Sequence, residues 1–226
     1  MAVHPSLLQQ FALMRLFSAD ALAQLAAHSS THAFAKREVV LAKENPSPSL
    51  MFLLEGRLQA IDFTLDGREV GLHFIEEGQY FGEISVLDGL APPEVIIANK
   101  KSQVVKVPAR EVRGHIFATP PAIEVMTSGL TARIRVQAQQ RQILGIINPL
   151  QRICALLQNL SQNGKTPEVI GNAPTHLEIA IMVNLTRETV TRVFQVLQSQ
   201  GALKRDGDEL KVDTGKLKQL AEKSSD

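Results

Sequence analysis

Residues 175–200 carry the side chains best suited to chemistry, and that chemistry is hydrogen bonding to nucleic-acid edges. The stretch reads THLEIAIMVNLTRETVTRVFQVLQSQ. Thr175 with Glu178 three residues later forms a capping box, which predicts a helix start. Leu177, Ile179, Ala180 and Val183 supply its apolar face. Asn184 tolerates the left-handed conformation that a sharp turn needs. Thr186 caps a second predicted helix running to Gln200, with Val190, Val193, Phe194 and Leu197 on one face. Arg187, Glu188, Thr191 and Arg192 fall mainly on the opposite face, near its N-terminal end. A helix entering the major groove presents that end. There Arg donates two bonds to guanine O6 and N7, and Glu accepts from cytosine N4. Thr hydroxyls and free backbone N–H groups bind phosphate oxygens. The competing reading is a solvated face with Glu188 paired to Arg192 four residues on, worth a few tenths of a kcal/mol.

Gly201-Ala202-Leu203 ends this helix, and residues 204–212 read as a hairpin turning at Asp206-Gly207. A helix-turn-helix trailed by a basic hairpin is a winged helix, with Lys204 and Arg205 placed to reach the adjacent backbone.

Further elements must position this motif. Acidic-Gly pairs occur at Glu55-Gly56, Asp66-Gly67, Glu77-Gly78 and Asp88-Gly89, a constant spacing of 11 residues. Between them lie the apolar runs Leu50–Leu54, Leu58–Phe63, Val70–Ile75 and Tyr80–Leu87. Turn signals at that spacing predict an all-β sandwich or barrel, with further strands at Val95–Ala98 and Gln103–Val107. Residues 5–28 read as helix, with Ser18 capping a second segment through Ala27. After Pro120-Pro121 a long helix is predicted through Ile147. Its seam is Ile123, Met126, Leu130, Ile134, Gln137, Arg141 and Leu144, stepping by three or four as in a coiled coil. Asn148-Pro149 interrupts it and marks a domain boundary. An amphipathic helix follows at Leu150–Leu160, then a loop with one short strand at Glu168–Ile170.

These residues resemble the CRP/FNR family of bacterial transcription regulators. TRETVTRV is similar to the family's recognition-helix signature, and the likeness extends through the β-roll glycines, Phe81-Gly82-Glu83-Ile84-Ser85, the long helix and the winged domain. The resemblance implies an α+β chain with three parts. Residues 1–119 form N-terminal helices and a cyclic-nucleotide-binding β-roll (jelly roll), 120–147 a dimerisation helix, and 148–226 a winged helix-turn-helix. It implies a homodimer joined along residues 121–147 on a two-fold symmetric double-stranded operator. Arg187, Glu188 and Arg192 would read bases, with Thr191 beside them, while Thr175, His176 and Thr186 would hold phosphates. His176 stands where many members carry Arg. RNA polymerase is a partner if the regulator activates.

The effector site is implied at Gly82, Glu83, Ile84 and Ser85, at Glu94 and Val95, and at Arg133, Gln137 and Arg141. In members that bind cyclic nucleotides, Gly-Glu-Leu is followed about ten residues on by Arg-Ser or Arg-Thr. The Glu holds the ribose and the Arg the cyclic phosphate. Here that pair is Pro93-Glu94, and no Arg occurs between Arg68 and Arg110. A lone Glu94 repels a phosphate at that place. Glu94-Val95-Ile96 resembles the Clp-like branch, whose effector is cyclic di-GMP and whose targets include biofilm and exopolysaccharide genes. The guanine N1–H and N2–H₂ edges suit a carboxylate acceptor, and Arg133, Arg135 and Arg141 are candidate cations for the phosphates. The alternative is a cAMP-responsive or an effector-independent regulator of the same family.

Other chemistries find little support. The single cysteine, Cys154, rules out a disulfide framework or a cysteine-held Fe–S cluster. His28, His32, His73 and His115 are too scattered to predict a haem or metal site. Without a Walker loop, HExxH, nucleophile elbow or paired carboxylates, an enzyme is not expected. A cyclic-nucleotide module of an enzyme complex would need no winged helix. No apolar run of membrane-spanning length occurs, and the N-terminus lacks a signal-peptide pattern, so a cytoplasmic protein is expected. The formal net charge of the 226 residues is +1. Basic and acidic residues number 14 and 14 through residue 147, and 10 and 9 beyond. That balance excludes a protein that coats nucleic acid, and fits one that reads a site.

Overall fold

A computed structural model describes residues 3–44, 48–63, 67, 69–162 and 168–223. It divides into two compact units: Met1–Phe63 with Leu72–Arg135, and Thr64–Gly71 with Val136–Asp226. The changeover falls inside the long helix, between Arg135 and Val136.

The first unit opens with α1 (Pro5–Leu8), a 3₁₀ turn (Met14–Leu16) and α2 (Ala19–His28). Ser18 caps α2 by accepting from the Ala21 N–H. The single helix expected from Pro5 is instead one turn long. Phe11 and Leu13 would lie on opposite sides of an unbroken helix, yet both are buried. The Arg15 guanidinium takes up the Gln9 and Gln10 carbonyls at 2.8 and 3.1 Å.

The strands β1 (Ser30–Phe34), β2 (Val39–Leu41), β3 (Ser49–Glu55), β4 (Leu58–Phe63), β5 (Glu69–Ile75), β6 (Tyr80–Phe81), β7 (Val95–Ala98) and β8 (Ser102–Pro108) form two four-stranded sheets. Their orders are β1-β8-β3-β6 and β2-β7-β4-β5. Strand β3 explains its own unbroken apolar sequence. Met51 and Leu53 point into the core between the sheets, with Leu58, Phe81, Ile96 and Val104. Leu50 and Phe52 point the other way, into a core shared with α2 and α4 (Ala109–Ala118). Strands β1 and β2 and helix α4 carried no sequence signal that marked them.

All four glycines at the 11-residue spacing adopt positive φ. At Gly56 (φ 109°) an added Cβ would lie 2.7 Å from the Ser102 Cα, so the residue is fixed by both conformation and space. The run Tyr80–Leu87 departs from expectation. It is strand only to Phe81, and α3 (Glu83–Asp88) follows, with left-handed Gly82 before it and Gly89 after it. Gly82 ends the strand, which buries Glu83 and Ser85.

Helix α5 spans Pro120–Leu144. Ala122 and Met126 are absorbed into the core of its own unit. Met126 is therefore not on an open seam, whereas Ile134 is 61% exposed. The helix stops before Gly145, three residues short of the expected end. In the second unit α6 (Pro149–Gln162) packs on α7 (His176–Val183), α8 (Arg187–Ser199) and α9 (Thr214–Lys223). Strands β9 (Val169–Ile170), β10 (Leu203–Asp206) and β11 (Glu209–Val212) pair in the order β10-β11-β9. Asp206 pairs with Glu209, so the wing turns at Gly207-Asp208, one residue later than expected. Asp66, in the second acidic-Gly pair, lies outside the described residues.

Candidate nucleic-acid interface and effector site

The helix-turn-helix is built by its caps. The Thr175 hydroxyl accepts from the Glu178 N–H at 3.3 Å, and the Glu178 carboxylate accepts from the Thr175 N–H at 2.7 Å. Asn184 is left-handed (φ 50°, ψ 54°), and the next N–H, of Leu185, reaches back to the Ala180 carbonyl. Thr186 then caps α8, accepting from the Thr189 N–H at 3.2 Å. Val190, Val193, Phe194 and Leu197 are buried, while Thr186, Arg187, Glu188 and Arg192 are exposed at the N-terminal end. That end therefore carries two guanidinium forks and a carboxylate, a donor and acceptor set that suits base edges and phosphates.

Not every residue of the sequence motif faces outward. His176 Nδ1 lies 3.0 Å from the Thr191 hydroxyl, and its ring is 4.5 Å from that of Phe194. The Thr191 O–H is given to the Arg187 carbonyl at 2.9 Å, so Nδ1 carries the proton and donates to Thr191. Burial, with Arg205 and Arg187 nearby, holds the His176 pKa below its usual value. Both side chains sit between α7 and α8. Among the described residues Glu188 makes no ion pair, so the expected bridge to Arg192 is absent; its carboxylate folds back on its own N–H and on Thr186, which lowers its pKa. On the wing, Arg205 donates to the Pro174 carbonyl at 2.8 Å, tying β10 to the start of α7. Lys204 is exposed, and the neighbouring Lys211 pairs with Asp206 at 2.9 Å. Sequence reasoning missed Arg152, which donates to the Ile146 and Val183 carbonyls at 2.7 and 2.9 Å and so fixes the end of α7.

The first unit holds a second constellation. Glu83 from α3, Glu94 just before β7, His73 from β5 and Arg133 from α5 converge. Arg133 Nη1 lies 2.8 Å from Glu83 Oε1 and 3.5 Å from Glu94 Oε1. Glu83 and Glu94 are only 2% and 5% exposed. Among the described residues, Glu83 Oε2, Ser85 Oγ and His73 Nε2 are buried without a hydrogen-bond partner. Burial raises the Glu83 carboxyl, with Arg133 opposing, and pushes Glu94 up to about 7. Burial, then Arg133, brings His73 down to about 4, so it is neutral at pH 7 and its 3.8 Å approach to Glu94 is not an ion pair. Glu94 is thus not a lone carboxylate: Arg133 of the long helix lies beside it. Ile84 and Val95 flank the cluster, half-buried. Gln137 and Arg141 are exposed on the part of α5 that belongs to the second unit. Next to the cluster, the Tyr80 O–H donates to the Val125 carbonyl at 3.4 Å, and Gly129 leaves the room this needs: a Cβ there would lie 2.4 Å from the phenol oxygen.

Cys154 is buried, which pushes its thiol up to about 11. Among the described residues no three His, Cys, Asp or Glu side chains are grouped to hold a metal ion, and no helix is long and apolar enough to cross a membrane.

Two family profiles match the chain. The cyclic nucleotide-binding domain matches residues 31–118 and the Crp-like helix-turn-helix domain residues 151–220. The chain belongs to the CRP/FNR family of transcription regulators. It is similar to the cAMP-activated global transcriptional regulator CRP of Haemophilus influenzae, 23% identical over 189 residues, covering 82% of this chain and 84% of the relative. It is also similar to the CRP-like protein Clp of Xanthomonas oryzae pv. oryzae, 23% identical over 201 residues, covering 84% and 86%. Among solved structures, FixK2 from Bradyrhizobium japonicum superposes with a TM-score of 0.72 at 18% identity, covering 85% of this chain and 96% of that one. The c-di-GMP-responsive regulator CLP of Xanthomonas campestris gives 0.68 at 20% identity, covering 86% and 99%. As a family member the chain is a DNA-binding transcription regulator with a cyclic-nucleotide-binding roll, and not an enzyme.

Proposed function

We propose that this regulator binds a two-fold symmetric operator as a homodimer, under the control of a nucleotide second messenger held in the roll, with cyclic di-GMP the favoured ligand. The carrying observation is the buried pair Glu83 and Glu94 with Arg133 beside both, where Glu83 Oε2 and Ser85 Oγ have no hydrogen-bond partner among the described residues. A ribose or guanine donor edge suits those acceptors, and a phosphate suits the guanidinium. Cyclic AMP is the second reading, favoured by the retained Glu83 and by relatives named as cAMP-activated.

On DNA, we assign base reading to Arg187, Glu188 and Arg192, and phosphate contact to Thr186 and Lys204, all exposed. Thr175, His176, Thr191 and Arg205 support these from behind, through the cap, the α7–α8 contact and the wing tether. The proposed dimer seam is the exposed line Ile123, Ile134 and their neighbours on α5, which sets two recognition helices on half-sites about 34 Å apart. RNA polymerase contact belongs to the same proposal if the regulator activates.

The test is a band-shift titration on a symmetric operator with each nucleotide in turn. A shift in operator affinity with cyclic di-GMP and none with cyclic AMP is expected. The reverse replaces the first reading with the second, and indifference to both removes nucleotide control.

A further inference from the structure

Two buried carboxylates share one guanidinium in this roll, and that guanidinium comes from α5. With both ionised, the cluster carries one negative charge in excess. A phosphodiester arriving at Arg133 would add another. Three anions on one buried cation cannot all stay ionised, because the low-dielectric surroundings magnify every like-charge pair. The weaker hold is the one to give way. Arg133 grips Glu83 at 2.8 Å and Glu94 at 3.5 Å.

We propose that Arg133 is the anion-recognition residue of this site, and that an incoming phosphodiester takes it in exchange for Glu94, which accepts one proton from solvent and then donates a hydrogen bond to the phosphate. The balance is simple: one proton is taken up per site, no covalent bond changes, and the neutral carboxyl no longer repels the ligand. The proposal rests on the roll being a nucleotide site.

The groups around Glu94 leave the proton as the compensating charge. Arg133 faces it from α5, Glu83 from α3, His73 from β5, Asp62 from β4, and Lys43 from the segment after β2. Lys43 is held by Asp62 at 2.6 Å. His73 stays neutral, since burial and Arg133 bring it down to about 4. No second cation among these is available to Glu94. Its own carboxyl, raised to about 7 mainly by burial, is poised to take the proton.

The sign follows. Below pH 7 Glu94 already carries its proton, and binding is indifferent to pH. Above pH 7 each binding event must draw a proton from solvent, so affinity falls as pH rises. Between pH 6 and pH 8 the fall is roughly tenfold.

Calorimetric titration of the full-length protein with cyclic di-GMP and with cyclic AMP, at pH 6 and 8 and in two buffers of different ionisation enthalpy, tests this. For whichever nucleotide binds, the wild type should bind roughly tenfold more weakly at pH 8 and take up close to one proton per site there. Glu94→Gln should bind equally at both pH values, take up no proton, and exceed the wild type at pH 8. Arg133→Met should lose binding at both; if it fails to fold, Glu94→Gln decides alone. Nucleotide binding that is flat with pH, or that strengthens towards pH 8 as a guanine edge on ionised Glu94 would require, overturns the exchange and leaves the roll a nucleotide site. Absence of binding by both nucleotides, in wild type and Glu94→Gln alike, overturns the exchange together with the nucleotide reading.

Discussion

Replacing Glu94 by Gln should stabilise the first unit at pH 8 and leave it nearly unchanged at pH 4.5. Burial raises the Glu94 carboxyl from its ordinary 4.5 to about 7, even with Arg133 beside it. Each unit of that shift is worth about 1.4 kcal/mol, so ionised Glu94 costs the folded state about 3 kcal/mol relative to the neutral acid. A folded-state pKa above the unfolded one means stability is fully present below about pH 4.5. It is then lost as pH rises through 7. The amide keeps the shape of the neutral acid at every pH, so the gain grows across that window to about 3 kcal/mol. Glu83 is raised in the same direction and is retained in the variant. Urea unfolding at fixed protomer concentration measures it. The chain has one tyrosine and no tryptophan, so intrinsic fluorescence reports Tyr80 alone, beside the cluster. A variant less stable than wild type at pH 8 would refute the reasoning, because Arg133 would then outweigh the burial of the charge.

Arg187→Ala should cost operator binding about 1–3 kcal/mol in a band-shift assay and relax specificity at one base pair per half-site; unchanged discrimination would move base reading elsewhere. Phe194→Ala empties a position 2% exposed under the His176 ring, so the second unit should lose about 3–5 kcal/mol by calorimetry. Ile134→Glu places a charge on the proposed seam: sedimentation should show dissociation with helix content unchanged, and an unaltered mass would put the dimer contact elsewhere. Thr175→Ala removes the capping box and should cost about 1 kcal/mol in thermal unfolding.

The winged half was legible because its signals are local. A Thr three residues before a Glu, an Asn at a turn and a Gly after a helix each act within one or two turns of chain. The roll glycines were legible for the same reason, since an acidic-Gly pair declares a backbone conformation. Strands β1 and β2 were not: STHAF buries only Phe34, and tertiary pairing with β8 decides its state. The run Tyr80–Leu87 reads equally well as strand or helix by hydrophobicity, and only Gly82 separates the two. The effector cluster could be listed from the family likeness, but its wiring could not. Arg133 lies 39 residues from Glu94 in sequence, and nothing near either residue announces the bond. His176 turned inward for a similar reason, because the ring it packs against sits on the next helix.

The tether from Arg205 to Pro174 also bears on ions in solution. A guanidinium already bonded to the protein backbone is a poorer displacer of the cations condensed on DNA. On the recognition helix and β10, the exposed cations without such a tie are Arg187, Arg192 and Lys204. Arg187 and Arg192 are assigned to bases, so Lys204 alone of these meets a phosphate; the two protomers of the proposed dimer then displace about two counterions here, and the logarithm of the operator association constant should fall with the logarithm of salt concentration at a slope near −2. Arg205 thereby ties the wing to the start of α7, and the operator complex should be less sensitive to ionic strength than the number of basic residues implies.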